Sequence, residues 1–120
     1  MSDAIIPLHG DLPAESSQVA AERLLSGAPR TQIANYFSDT TQQFFAGYWS
    51  ATRGKWRIRY TENELCVMTA GRVVLQNDAG QRWEFAAGDA FVVPAGFSGS
   101  WEVLENCTKI YAVFEPRPST

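Results

Sequence analysis

Histidine is almost missing from this chain: His9 stands alone among 120 residues, in a peripheral segment that places it at the surface. Imidazole is the side chain whose charge changes near neutral pH and the commonest metal ligand. Histidine-based acid–base catalysis and multi-histidine metal centres are therefore nearly excluded. Cysteine is scarce as well. Cys66 and Cys107 are the only two, too few for a small secreted scaffold held by disulfides, and both read as reduced thiols. No run of about 18 apolar residues occurs, so no helix is expected to span a membrane. The start, Met1 to Pro7, has no cationic segment ahead of its short apolar pair, and a cytoplasmic location with no membrane partner is the expectation. Basic charge is not in excess: ten Lys and Arg against thirteen Asp and Glu leave a net charge of −3. No positive field draws the chain onto phosphate backbones, and nucleic acid is not an expected partner.

What is present is an ordinary folding composition, 45% hydrophobic and 19% charged, in a chain long enough for one hydrophobic core. Residues 1–30 differ in texture from the rest. Pro7, Gly10, Pro13, Gly27 and Pro29 punctuate them, and Val19, Leu24 and Leu25 predict at most a short helix within Ala14 to Ser26. This segment reads as an N-terminal arm, with a single domain over residues 31–120. From Ile33 onward, short runs rich in Val, Ile, Phe, Tyr and Trp alternate with glycine and polar turn signals, the rhythm of an all-β domain. Eight strands are predicted near Gln32–Phe37, Gln43–Ala51, Trp56–Tyr60, Glu64–Leu75, Arg82–Ala86, Ala90–Val93, Ser100–Leu104 and Thr108–Phe114. Asn77 to Gly80 and Ala87 to Asp89 are tight turns, and Pro94 ends a strand because it cannot donate a ladder hydrogen bond. So many short strands bury their faces most simply as a double-sheet jelly roll or small barrel.

The segments Gly71-Arg-Val-Val-Leu75 and Gly88-Asp-Ala-Phe-Val-Val-Pro94-Ala-Gly96 resemble the two sequence blocks of the cupin superfamily. Gly47 to Arg57, Tyr60-Thr-Glu-Asn-Glu64, Pro94 to Val103 and Lys109-Ile-Tyr111 narrow the likeness. They resemble small single-domain cupins related to the ureidoglycine aminohydrolase cupin domain, the group labelled DUF861. The resemblance implies a double-stranded β-helix, with Gly71, Gly88, Asp89, Pro94 and Gly96 as structural turns. In such blocks three histidines and a glutamate hold the metal, and in the aminohydrolase pattern a glutamine joins two histidines and a glutamate. Here the glutamate position falls on Glu64 and the first-block histidine positions on Ile58 and Tyr60, or on Arg57 and Arg59 with the other spacing. The second-block histidine position falls on Gly99. One carboxylate cannot complete a transition-metal site, so no metal and no cofactor is expected, although a weak, adventitious divalent ion at Glu64 stays open.

If Ile58 and Tyr60 take the inward positions this resemblance implies, alternation places Trp56 on their face, with Arg57 and Arg59 on the outer one, paired with Glu62 or Glu102. Glu64, Cys66 and Met68 then look inward, and so do Gly99 and Trp101. The expected pocket is a cup of Trp56, Tyr60 and Trp101, with Ile58, Cys66 and Met68 deeper and Glu64 as its charged group. It suits a small, partly apolar ligand carrying an ammonium, amide or hydroxyl donor. The same tryptophans serve equally as core, Glu64 as a structural carboxylate, and Cys66 as an inert buried thiol with no histidine to activate it. Three functional readings follow. The first is a metal-independent binding domain for a small metabolite. The second is an enzyme related to ureidoglycine aminohydrolase, with Glu64 as acid/base and Tyr60 as donor. The third is a structural subunit, and a homodimer is expected because sheet edges are commonly covered by a partner.

Overall fold

The computed structural model describes residues 3–9 and 12–116, and among them it contains nine β-strands and no helix. The strands are β1 (Glu15–Gln18), β2 (Leu24–Gly27), β3 (Arg30–Ser38), β4 (Phe44–Ala51), β5 (Gly54–Arg59), β6 (Asn63–Asn77), β7 (Arg82–Ala86), β8 (Ala90–Val93) and β9 (Ser98–Phe114). Every pairing is antiparallel, in one continuous sheet that curls over on itself as a jelly roll. No helix among the described residues is long and apolar enough to cross a membrane.

Two long strands organise the sheet. β9 pairs with β6 along its length, while its other edge is shared between β5 at the start and β4 at the end. The far edge of β6 is shared in the same way, by β8 near its start and β7 near its end. Between these halves the β6–β9 register shifts from Met68 to Val73, and such bulges bend a strand sharply. Gly71 makes the bend possible: its φ is +82°, and a Cβ there would lie 2.3 Å from the Asn106 carbonyl. The bend folds Trp56, Trp101, Val73 and Leu75 of one half onto Cys66, Met68, Val93 and Cys107 of the other. Rings meet across it, Trp49 of β4 lying edge-on to Trp101 of β9 at 5.5 Å, and Phe85 of β7 stacking on Phe91 of β8 at 3.9 Å. Of these four rings Trp101 is fully buried, 2% exposed, and burial of a large aromatic side chain contributes on the order of several kcal/mol at about 25 cal/mol per Å²; the other three are half-buried.

The turns follow the sequence. Gly80 (φ +91°), Gly88 (φ +95°) and Gly96 (φ +96°) take the left-handed conformation. The Asp89 carboxylate accepts the Ala86 N–H at 2.8 Å, and the Pro94 carbonyl accepts the Phe97 N–H at 3.1 Å. Two expectations are corrected. The short helix within Ala14 to Ser26 does not form: β1 pairs with β3 and β2 with β5, joined by a turn in which Arg23 N–H donates to Ala20 at 2.9 Å. Three apolar residues make too weak a helical stripe, whereas Ser16 and Ser17 bond across to Gln32 and Thr31. The strands expected at Ser100–Leu104 and Thr108–Phe114 are one, β9, because Glu105 and Asn106 continue the ladder at the bend. Gly10, named above as a break, and residues 117–120 of the expected domain lie outside the described residues.

Candidate functional site

Glu64, the second residue of β6, and Lys109, in the second half of β9, meet inside the curled sheet. Lys109 Nζ lies 3.0 Å from Glu64 Oε2, with Glu64 6% and Lys109 4% exposed. The sheet register explains the meeting. Lys109 sits between Met68 of β6 and Trp49 of β4, so its long side chain runs past Cys66, with Nζ 3.6 Å from Sγ, to reach Glu64. Two indoles complete the enclosure, the Trp49 centroid at 4.7 Å and the Trp101 centroid at 4.4 Å from Nζ. A buried ammonium costs several kcal/mol of lost hydration, which the carboxylate and the aromatic faces offset. The Tyr60 hydroxyl donates to the other carboxylate oxygen, Glu64 Oε1, at 2.6 Å. Tyr111 donates to Asn35 Oδ1 at 2.6 Å.

These contacts set the proton affinities. Burial favours a neutral Lys109, but the Glu64 charge and the Cys66 contact outweigh it and hold the ammonium above its ordinary 10.5. Burial, aided by the Glu64 charge, raises Tyr60 well above 10.0. Burial pushes the Cys66 thiol up to about 12, against the pull of Lys109. Cys66 is therefore a protonated thiol at neutral pH, without the thiolate character of a nucleophile.

A cavity of about 320 Å³ opens above this centre. Its buried lining is Trp56, Ile58, Glu64, Trp101, Lys109 and Tyr111, with Tyr60 and Trp49 half-buried and Arg23, Arg59 and Glu62 among its more exposed residues. Of the residues expected in the pocket, the structure brings Trp56, Ile58, Tyr60, Glu64 and Trp101 to this cavity. Cys66 and Met68 lie in the packed core and do not line it. The sequence reading missed Lys109, Trp49 and Tyr111. Two further placements are corrected: Arg57 pairs with Asp78 at 2.8 Å and not with Glu62 or Glu102, and Arg59 reaches the cavity. A second cavity of about 320 Å³, between Trp83, Phe85, Phe91 and Phe97, has no charged residue in its lining to orient a ligand.

The residues at the metal-ligand positions do not fit a metal. Ile58 has no donor atom. A Cβ on Gly99 would lie 1.9 Å from the Gln76 carbonyl, so paired backbone fills the space a side chain would need. Against Glu64, where a cation would bind, stands the ammonium of Lys109. Among the described residues, no group of three or more His, Cys, Asp and Glu is arranged to hold an ion.

With this geometry in view, comparison with known proteins places the chain. A family model described as an EutQ-like cupin domain matches residues 39–111. The chain belongs to the EutQ-like cupin family. Among solved structures, it is similar to a Pseudomonas syringae protein of unknown function assigned to DUF861, at 26% identity and a TM-score of 0.79. That match covers 88% of this chain and 46% of the Pseudomonas protein, so this cupin spans about half of its relative's length. A Thermotoga maritima DUF861 protein is 28% identical, with a TM-score of 0.52 over 53% of this chain and 73% of its own. A Salmonella typhimurium protein described as a putative ethanolamine utilization protein Q shares the fold at 11% identity. Its TM-score is 0.67, covering 90% of this chain and 100% of that one. No curated protein matches the sequence significantly.

Proposed function

We propose that this cupin binds a small metabolite in the 320 Å³ cavity without a metal ion. The observation that carries the reading is the Lys109–Glu64 pair, which puts a fixed ammonium against the carboxylate that would otherwise receive a cation. The cavity combines apolar walls with a few convergent polar groups, the usual character of a small-molecule site. Its aromatic cup supplies contact area, while Glu64, Tyr60 and Lys109 orient amide or hydroxyl groups of the ligand. The test joins metal analysis to ligand screening. Untagged protein, incubated with manganese, nickel, zinc or iron and dialysed, is expected to retain well below one equivalent. A small-molecule library is expected to yield compounds that raise Tm and saturably change tryptophan fluorescence. Near-stoichiometric retained metal overturns the reading.

A second reading, turnover of a small nitrogenous metabolite related to ureidoglycine, comes from the sequence resemblance alone, and the 2.6 Å contact between Tyr60 and Glu64 supplies the carboxylate and hydroxyl pair it would use. Glu64 would move the proton and Tyr60 would hold it in place, a contribution of about 10²–10⁴-fold. Ureide hydrolysis lost in Glu64→Gln but kept in Cys66→Ala supports this reading, and binding without product formation rejects it.

A further inference from the structure

We infer that the ligand of this cavity is a small organic anion of the carboxylate class, anchored by Arg23 and Arg59; the inference rests on the binding reading above. The interior leaves little for a cationic ligand to use. Glu64 is already neutralised by Lys109 and bonded by Tyr60, and the Lys109 ammonium already occupies the faces of Trp49 and Trp101. The charged lining residues are three cations, Arg23, Arg59 and Lys109, against two anions, Glu62 and Glu64. The cavity is therefore locally positive on a protein whose net charge is −3, and a local field of this sign concentrates anions at a cleft.

The two arginines are available for such a ligand. Neither guanidinium makes an ion pair or a side-chain hydrogen bond among the described residues, whereas Arg57 and Arg72 are tied to Asp78, Glu84 and Glu105. The Arg23 backbone is nevertheless fixed, donating to Ala20 at 2.9 Å and accepting the Arg57 N–H at 2.8 Å. The N-terminal arm thus carries one anchor to the cavity and β5 carries the other. A guanidinium fork matches a carboxylate with two parallel hydrogen bonds. The ligand's body would then lie against Trp56 and Ile58, and its far end would meet Glu64 and Lys109. The size is small, because 320 Å³ lies at the low end of the roughly 300–1,000 Å³ found for ligand pockets.

The test is a tryptophan-fluorescence and Tm titration with shape-matched probes: propionate, benzoate and phenylacetate, their amides, the corresponding amines, and inorganic phosphate. Acids are expected to bind about tenfold or more tighter than amides or amines, and added salt is expected to weaken them. Arg23→Gln and Arg59→Gln, both at exposed positions, are each expected to weaken the acids about tenfold and leave the amides unchanged. Amides, amines or phosphate binding as tightly as the acids overturn the carboxylate assignment while leaving the binding reading intact. Acid binding unaffected by both substitutions does the same. Failure of every probe to alter fluorescence or Tm overturns both.

Discussion

At Lys109 a full positive charge is held inside the sheet by one carboxylate, one thiol and two indole faces, and each partner can be removed separately. Lys109→Met leaves Glu64 buried without its counter-charge, and urea unfolding is expected to show a loss of about 3–5 kcal/mol. Combining it with Glu64→Gln is expected to cost less than Lys109→Met alone, and strict additivity contradicts the pairing. The same residues fix the alkaline limit. Tyr60, Cys66, Tyr111 and Lys109 all hold protons more tightly in the folded chain than in the unfolded one. The unfolded chain thus loses its protons first, so stability falls as pH rises. For Cys66 the contribution is full below 9.0 and lost towards about 12, and for Lys109 it is full below 10.5 and lost above. Tm is expected to decline across this range, with a shallower onset in Cys66→Ala, and a flat profile contradicts the assignment. Much of this interior was legible in the sequence, since alternation, with its inward phase taken from the cupin resemblance at Ile58 and Tyr60, puts Trp56, Ile58, Glu64, Cys66, Met68 and Trp101 inside. Lys109 escaped for a physical reason. It shares the phase of Trp101, eight residues away, but that phase carries across only if Glu105 and Asn106 belong to one strand. Two polar residues in sequence look like a turn.

Among the elements, β6 and β9 owe their shape to pairing with each other, which no local window contains. The bend at Gly71 answers to the Asn106 carbonyl, 35 residues further along the chain. The N-terminal arm is similar: β1 and β2 are short strands that exist because β3 and β5 offer edges. The β3–β4 turn, by contrast, is local. Asp39 accepts the Gln43 N–H at 2.8 Å and the Phe44 N–H at 2.9 Å, and it also accepts the Thr41 hydroxyl. The Thr41 and backbone hydrogen bonds hold its carboxyl down at about 2, against an ordinary 3.8. A lowered carboxyl contributes stability above its unfolded value and loses it as pH falls through its folded one. Asp39→Ala is expected to lower Tm at neutral pH, and the difference from wild type is expected to close between 3.8 and about 2. A gap that persists at lower pH assigns the effect to something other than this carboxylate.

For the molecule as a whole, the strand rhythm was enough to predict the class, because every strand from β3 onward announces itself by β-branched and aromatic residues between turns. What it could not show is the outward face. The registers align Val92, Leu65, Ala112, Ala46 and Phe37 across β8, β6, β9, β4 and β3, opposite in phase to Glu64, Cys66 and Tyr111. Val92 is 62% and Leu65 44% exposed. Phe37, Ala46 and Ala112 are half-buried, and contiguous exposed apolar residues are one feature of association surfaces. We propose that this row joins two copies: light scattering is expected to give a dimer, and Leu65→Lys a monomer of unchanged fold, whereas a monomeric wild type rejects the proposal. The buried ammonium has a consequence at this scale too. A cupin that borrows its cation can be stripped by a chelator, poisoned by a competing ion or left idle when supply runs short. The cation beside Glu64 is written in the gene, and each folded molecule carries one whatever ions surround it.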